Sequence, residues 1–359
     1  MKKPALSILI IVSLLFVSCS KQPAPKAGGG RPHDLCRVKI TPVKQQGESD
    51  FCWIYAMLAT IESEHLMQGD SVNLSAAFLA RKHIESLARR AFLLQTQSDG
   101  RNDDVEAVTT RGIAGRTLAL LRDSGIVPYD AYHPVINYRT LTRKVELLVE
   151  ASRRSGMEAF DNRLDHLMDD NMRPAPRYAF MLGAEYTVGE FARSVCRADE
   201  YMAITSFTHH PFGRRVVLEL PDNTDHQSFL NLPPDTLMAW LDRALMGGHP
   251  VCWEGDISEP RFSWSRGIAK LAAADEESVL TGTALAEARQ KDFELGNTTD
   301  DHCMELIGIA QTDGGRRYYV AKNSWGTGNA FHGLMYLSEN YVRLKTIALW
   351  MSRAAVAGA

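Results

Sequence analysis

The chain has no excess of either charge: its 359 residues hold 40 Lys and Arg against 43 Asp and Glu, a net charge of −3. Without a basic stripe it offers no electrostatic footprint for nucleic acid, and without an acidic run it has no solvating tail. Cysteine is sparse. Six in a chain this long are too few to build the fold from disulfides. None forms a Cys-x-x-Cys pair, and no Cys/His pattern has the spacing of a zinc site. No internal repeat is visible. The apolar run from Pro4 to Val17 falls short of the ~20 residues that a membrane helix needs. What remains is ordinary globular composition, 45% hydrophobic and 23% charged. That is enough chain for one large or two modest domains with a real core.

The first residues, Met1-Lys2-Lys3 and then the short apolar run, describe a secretory signal over positions 1–18. Its end, Leu15-Phe16-Val17-Ser18-Cys19, resembles a bacterial lipoprotein signal. That resemblance implies lipid on Cys19 and a membrane-anchored protein of the bacterial cell envelope. A plain secretory signal cut nearby would instead leave Cys19 incidental. Residues 19–34, rich in Lys, Pro, Ala and Gly, read as a flexible tether. The folded part is then 35–359, helical over roughly 35–200 and β-rich over roughly 201–352.

Export permits disulfides, yet the five remaining cysteines are an odd number, so at least one thiol stays free. Its best setting is Cys52. The stretch Pro42 to Trp53 passes from a turn into a helix whose apolar residues Trp53, Ile54, Met57, Leu58, Ile61 and Leu66 share roughly one face. Ser49 or Asp50 is placed to cap it. A thiol in the first turn meets unpaired N–H groups and the positive end of the helix dipole, which favour the thiolate. Cys252, in Pro250-Val251-Cys252-Trp253, reads as a buried strand residue, and Cys303 as core on the strand face opposite His302.

A thiolate nucleophile needs a base and a donor pocket for an oxyanion. Far downstream, His302 opens the strand pattern Asp301 to Ile309. Gly314-Gly315 then turn the chain into Tyr318 to Ala321, followed by Lys322-Asn323-Ser324-Trp325-Gly326. Paired strands would bring His302 and Asn323 side by side.

Gln46-Gly47, Cys52-Trp53, His302 and Asn323-Ser324-Trp325-Gly326, in that order, resemble the papain family of cysteine peptidases. Gln46 stands six residues before Cys52, as the oxyanion glutamine of that family does. The sequence departs from the family at Ser49, where a disulfide cysteine is usual, and at Asp50, where a glycine borders the substrate groove. The gap of 250 residues from Cys52 to His302 suits the bleomycin hydrolase/aminopeptidase C branch. So do Gly125-Ile126-Val127-Pro128-Tyr129, Gly248-His249-Pro250-Val251 and Thr299-Asp300-Asp301-His302.

The resemblance implies an α+β fold in two subdomains with the cleft between them. It implies Cys52 as nucleophile, His302 as its acid–base partner, Asn323 as orienter and Gln46 as oxyanion donor. Trp53, Asp50 and Trp325 are expected to support the site or border the substrate. Peptide substrates are implied, with hydrolysis of aminopeptidase or oligopeptidase type and no metal or organic cofactor. An inactive papain-like shell that binds peptides or an envelope partner is the alternative. The pair His209-His210 has no third metal ligand at useful spacing in the sequence, and oligomeric state stays open.

Overall fold

The second half of the chain forms strands because its apolar side chains run on without a polar face. In the computed structural model, which describes residues 32–97, 107–181, 183–271 and 278–357, strands Val251–Gly255 and Thr346–Ser352 are buried at every position. Strand His302–Gln311 is buried at all but its last residue. Successive side chains of a strand point to opposite faces. Cys252, Cys303, Ala348 and Trp350 therefore join one apolar cluster, and Trp253, Met304, Leu349 and Met351 join another. An unbroken apolar run marks a strand covered on both sides. Each fully buried Leu or Ile in such a layer contributes roughly 1.5–3 kcal/mol.

These strands form the middle of an eleven-stranded sheet. Thr346–Ser352 pairs with Val251–Gly255, which pairs with His302–Gln311, which pairs with Arg317–Lys322, all antiparallel. Leu334–Ser338 continues the sheet on one side and Tyr201–Thr205 on the other. Helices Pro234–Met246 and Glu339–Lys345 cover one face. The other face carries helix Cys52–Met67, backed by helices Ala76–Gln97, Ala114–Ser124, Tyr138–Ala151 and Met157–Met172. Helix-rich and sheet-rich parts thus meet along one seam, the α+β arrangement expected.

Two expectations need correction. Helix Cys52–Met67 is not one-faced: Thr60, Glu62, Ser63 and Glu64 are buried along with its apolar residues. It lies between the sheet and the helices Ala76–Gln97 and Ala114–Ser124, so every side meets protein. Its buried carboxylates are matched. Glu62 accepts from Thr41, Lys44 and the Leu74 N–H, and Glu64 from His249 at 2.8 Å. Second, His33 and Asp34, assigned to the tether, begin a strand, His33–Arg37, that pairs with His302–Gln311. The polar stretch 265–300 carries the helix Gly282–Glu294. The signal segment, Cys19 and the C-terminal Ala359 lie outside the described residues. Among those residues no helix is long and apolar enough to cross a membrane.

Candidate active site

Helix Cys52–Met67 starts at Cys52 itself. The first N–H groups of a helix have no intrahelical acceptor, so the backbone N–H of Cys52 is free to point into the cleft. The expected cap is not made: Phe51 occupies the N-cap position and no side chain bonds there. Asp50 is held elsewhere. Its N–H donates to Thr110 Oγ1 at 3.1 Å, and that hydroxyl donates to Asp50 Oδ2 at 3.2 Å. Trp53 is fully buried, and its Nε1–H donates to the Thr110 carbonyl at 3.0 Å. Trp53 therefore braces the loop that holds Asp50 and does not line the cleft.

Gln46 arrives from a segment stitched to both sides of the seam. Lys44 and Thr41 bond Glu62 on the nucleophile helix. On the sheet side the Gln46 N–H donates to the Ser324 carbonyl at 2.8 Å, and the Gly326 N–H to the Lys44 carbonyl at 3.0 Å. The turn after Gln46 needs Gly47, whose φ of +67° lies in the left-handed region. The Gln46 carboxamide is oriented at both ends. Ser324 Oγ donates to its Oε1 at 2.6 Å, and its Nε2 donates to the Ser49 carbonyl. The second Nε2–H remains for a ligand.

On the opposite wall His302 opens its strand and Asn323 follows directly on the neighbouring one. His302 Nε2 lies 2.9 Å from Asn323 Oδ1. That oxygen also accepts the Ser324 N–H at 2.7 Å, so the amide presents oxygen to the ring and the ring nitrogen carries the proton. Trp325 lies beside the imidazole with ring centroids 4.8 Å apart, and Phe262 and Trp264 pack on Trp325 in turn. His302 is 3% exposed, Asn323 2% and Cys52 6%. Gln46, Cys52, His302 and Trp325 line one cleft of about 660 Å³, with Asp50 and Asp301 at its rim.

The electrostatics single out one sulfur. Cys52 is held well below the ordinary thiol range. The largest cause is a hydrogen bond from the Cys303 thiol; burial opposes it, and the charge and hydrogen bond of His302 add to it. Burial works against a charge on His302. The Cys52 thiolate and the Asn323 hydrogen bond outweigh it and raise the imidazole above its usual value. Burial pushes Cys36 and Cys252 up and Cys196 up to about 12. All five described cysteines are free thiols. Cys303 is core, as expected from its strand position, but the face it occupies carries the nucleophile helix. It therefore touches Cys52, a contact that strand alternation alone does not disclose.

Among the described residues, no three His, Cys, Asp or Glu side chains at the cleft have metal-ligand spacing. Among the described residues one such cluster exists, His209, His210 and Glu219, none of which lines the cleft. Glu219 is the third ligand that the sequence pattern did not supply. It follows strand Arg214–Val217, which turns the chain back beside the histidines.

Comparison with known proteins agrees with this geometry. Residues 185–354 match the Peptidase C1-like family. That stretch contains His302, Asn323 and Trp325 and does not reach Gln46 or Cys52. The chain is 25% identical over 148 residues to Aminopeptidase G of Lactobacillus delbrueckii subsp. lactis, a match covering 40% of this chain and 33% of that protein. It thus spans about a third of that curated relative. The crystal structure of PepW from Lactobacillus rhamnosis HN001 superposes over 90% of this chain and 83% of its own, with a TM-score of 0.67 and 17% identity. The fold is the papain-like α+β one.

Proposed function

We propose that this protein is a papain-like cysteine peptidase that hydrolyses peptides by attack of Cys52, preferring substrates with a free amino terminus. The observation that carries the reading is one cleft uniting a thiol of depressed pKa, an imidazole of raised pKa and an oriented carboxamide.

The chemistry follows from the atoms. Cys52 Sγ, as thiolate, bonds to the carbonyl carbon of the scissile peptide. The oxyanion takes hydrogen bonds from Gln46 Nε2 and the Cys52 N–H. His302, held through Nε2 by Asn323, gives its Nδ1 proton to the departing amine, and a thioester remains. Water then gives a proton to Nδ1 as it attacks the thioester, which releases the acid and restores the thiolate–imidazolium pair. Trp325 limits access of water to the His302–Asn323 bond.

Preference for a free amine rests on two supports. One is the name of the relative, an aminopeptidase. The other is the carboxylates of Asp50 and Asp301 at the rim, suited to an ammonium group. Asp301 is pushed up to about 6 by burial and by Asp256. The lipoprotein reading rests on the sequence around Cys19 and places the enzyme at the bacterial cell envelope. Labelling with a fatty-acid analogue tests it, with label expected on the parent chain and none on Cys19→Ser.

A digest of a peptide library offered with free and with blocked amino termini tests the activity. Stepwise trimming of the free-amine set is expected, with cleavage by Cys52→Ala at least about 10⁴-fold lower. Undiminished turnover in that variant would discard the reading. Because Asp50 stands beside Cys52 where the papain family has a glycine, a shell that binds peptides without cutting them is the competing reading. It predicts that iodoacetamide leaves Cys52 unmodified at neutral pH.

A further inference from the structure

The corner of the sheet that carries His209 and His210 is constructed with a care that a surface loop does not need. Asn231 is fully buried and clamps the loop backbone. It accepts the Phe207 N–H at 2.9 Å and donates to the carbonyls of Phe207 and His210, each at 2.9 Å. Gln290, on helix Gly282–Glu294, is 9% exposed. Its Oε1 accepts the N–H groups of Thr208 and His209, at 2.7 and 3.2 Å, which fixes its orientation. His209 Nδ1 faces both ends of this carboxamide, 3.1 Å from Oε1 and 2.9 Å from Nε2. The His209 ring is also stacked on Phe293, with centroids 5.6 Å apart and planes within 16°.

With Nδ1 turned to Gln290, His209 presents Nε2 to Glu219 Oε2 at 3.0 Å. His210 presents its own Nε2 to Glu219 Oε1 at 3.0 Å. All three ligand atoms lie within 4.8 Å of one another. A tetrahedral ion with bonds of ~2.0–2.1 Å separates neighbouring ligand atoms by roughly 3.3 Å, so a small outward shift admits one. Two imidazole nitrogens and one carboxylate are a borderline donor set, suited to zinc more than to calcium or magnesium. A partner that orients the far nitrogen of a ligating histidine, as Gln290 does here, is the usual support of such a site.

We propose that His209, His210 and Glu219 form a binding site for one divalent zinc-class ion, separate from the peptidase cleft. The ion clamps the loop after strand Tyr201–Thr205 to the segment after Arg214–Val217, and through Gln290 to helix Gly282–Glu294. The side chains of His209 and His210 are 27% and 24% exposed, which leaves a fourth position for water. The site does not depend on the reaction assigned to the cleft.

The test uses the full chain, stripped with chelator and alkylated at Cys52 so that the thiol–imidazole pair cannot bind metal. Calorimetry with Zn²⁺ is expected to show one equivalent bound at micromolar affinity or tighter, and Co²⁺ to give the absorption bands of a tetrahedral site. His209→Ala and Glu219→Gln are expected to abolish both signals. Gln290→Ala retains all three ligands and is expected to weaken binding about 10–100-fold. Should the ligand variants misfold, diethylpyrocarbonate modification of the parent protein serves instead. Zn²⁺ is then expected to protect His209 and His210 but not the exposed His332. Absence of stoichiometric binding, binding unchanged in His209→Ala or Glu219→Gln, or no protection of the two histidines would overturn the proposal.

Discussion

Gln46 and Cys52 reach the cleft from a turn and a helix start six residues apart. His302 and Asn323 reach it from the ends of adjacent strands, 21 residues apart. On the first wall the donors are set by local chain geometry: a left-handed glycine, the end of a helix, and a carboxamide bonded at both ends. On the second they are set by the register of a sheet buried on both faces. Close packing resists a register slip, so the sheet wall needs little local support beyond one amide and one indole. The nucleophile wall has no such lattice beneath it. It is tied down instead by the buried Lys44–Glu62 pair and by Ser324, which belongs to the other wall.

The comparison predicts unequal losses. Gln46→Ala removes the proposed oxyanion donor and the Ser324 bridge together. It is expected to lower kcat by about 10²–10³ while iodoacetamide still alkylates Cys52 near the parent rate. A parallel loss in alkylation would mean that Gln46 holds the helix start in place more than it binds an oxyanion. Asn323→Ala leaves the imidazole on its strand and removes the partner of Nε2 along with the acceptor of the Ser324 N–H. A loss nearer about 10² is expected, the scale of a misplaced reactant. It should come with an alkaline limb of the kcat/KM profile shifted to lower pH, because Asn323 helps to raise His302. An unshifted limb would show that Asn323 acts by packing alone.

The two walls also differ in how far they can be read from the chain. His302, Asn323 and Trp325 sit in a hairpin pattern whose strands are unambiguous, and the helix beginning at Cys52 is equally plain. What the chain conceals is contact at long range. Glu62 reads as the polar face of an amphipathic helix until Thr41, Lys44 and Leu74 fold onto it. Asp50 looks like a helix cap until Thr110, 60 residues on, claims its side chain. Glu219 becomes a neighbour of His209 only when strand Arg214–Val217 returns beside Ser228–Asn231.

Cys303 is where the walls touch, and it gives the smallest and most specific test. Its thiol donates to Glu254 Oε2 at 3.7 Å and is also the largest influence that lowers Cys52, while burial holds the Glu254 carboxyl well above the usual carboxylate range. Burial and the neighbouring Cys52 thiolate push Cys303 well above the ordinary thiol range, so Cys52 ionises before it. A donor to the charged form lowers the pKa of its acceptor. Removing it in Cys303→Ala is therefore expected to move the acid limb of Cys52 alkylation to higher pH, since the thiolate then forms only as more protons are withdrawn. The alkaline limb of peptide hydrolysis, set by loss of the His302 proton, should move far less. Cys303→Ser keeps a hydroxyl donor in nearly the same volume and is expected to return the acid limb toward its parent position. A filled-cavity or packing role would give the same result for Ala and Ser at the limb and would differ only in thermal stability. If both variants leave the limb where it was, the depressed pKa of Cys52 belongs to His302 and the helix start alone, and the nucleophile wall is electrostatically complete without its partner.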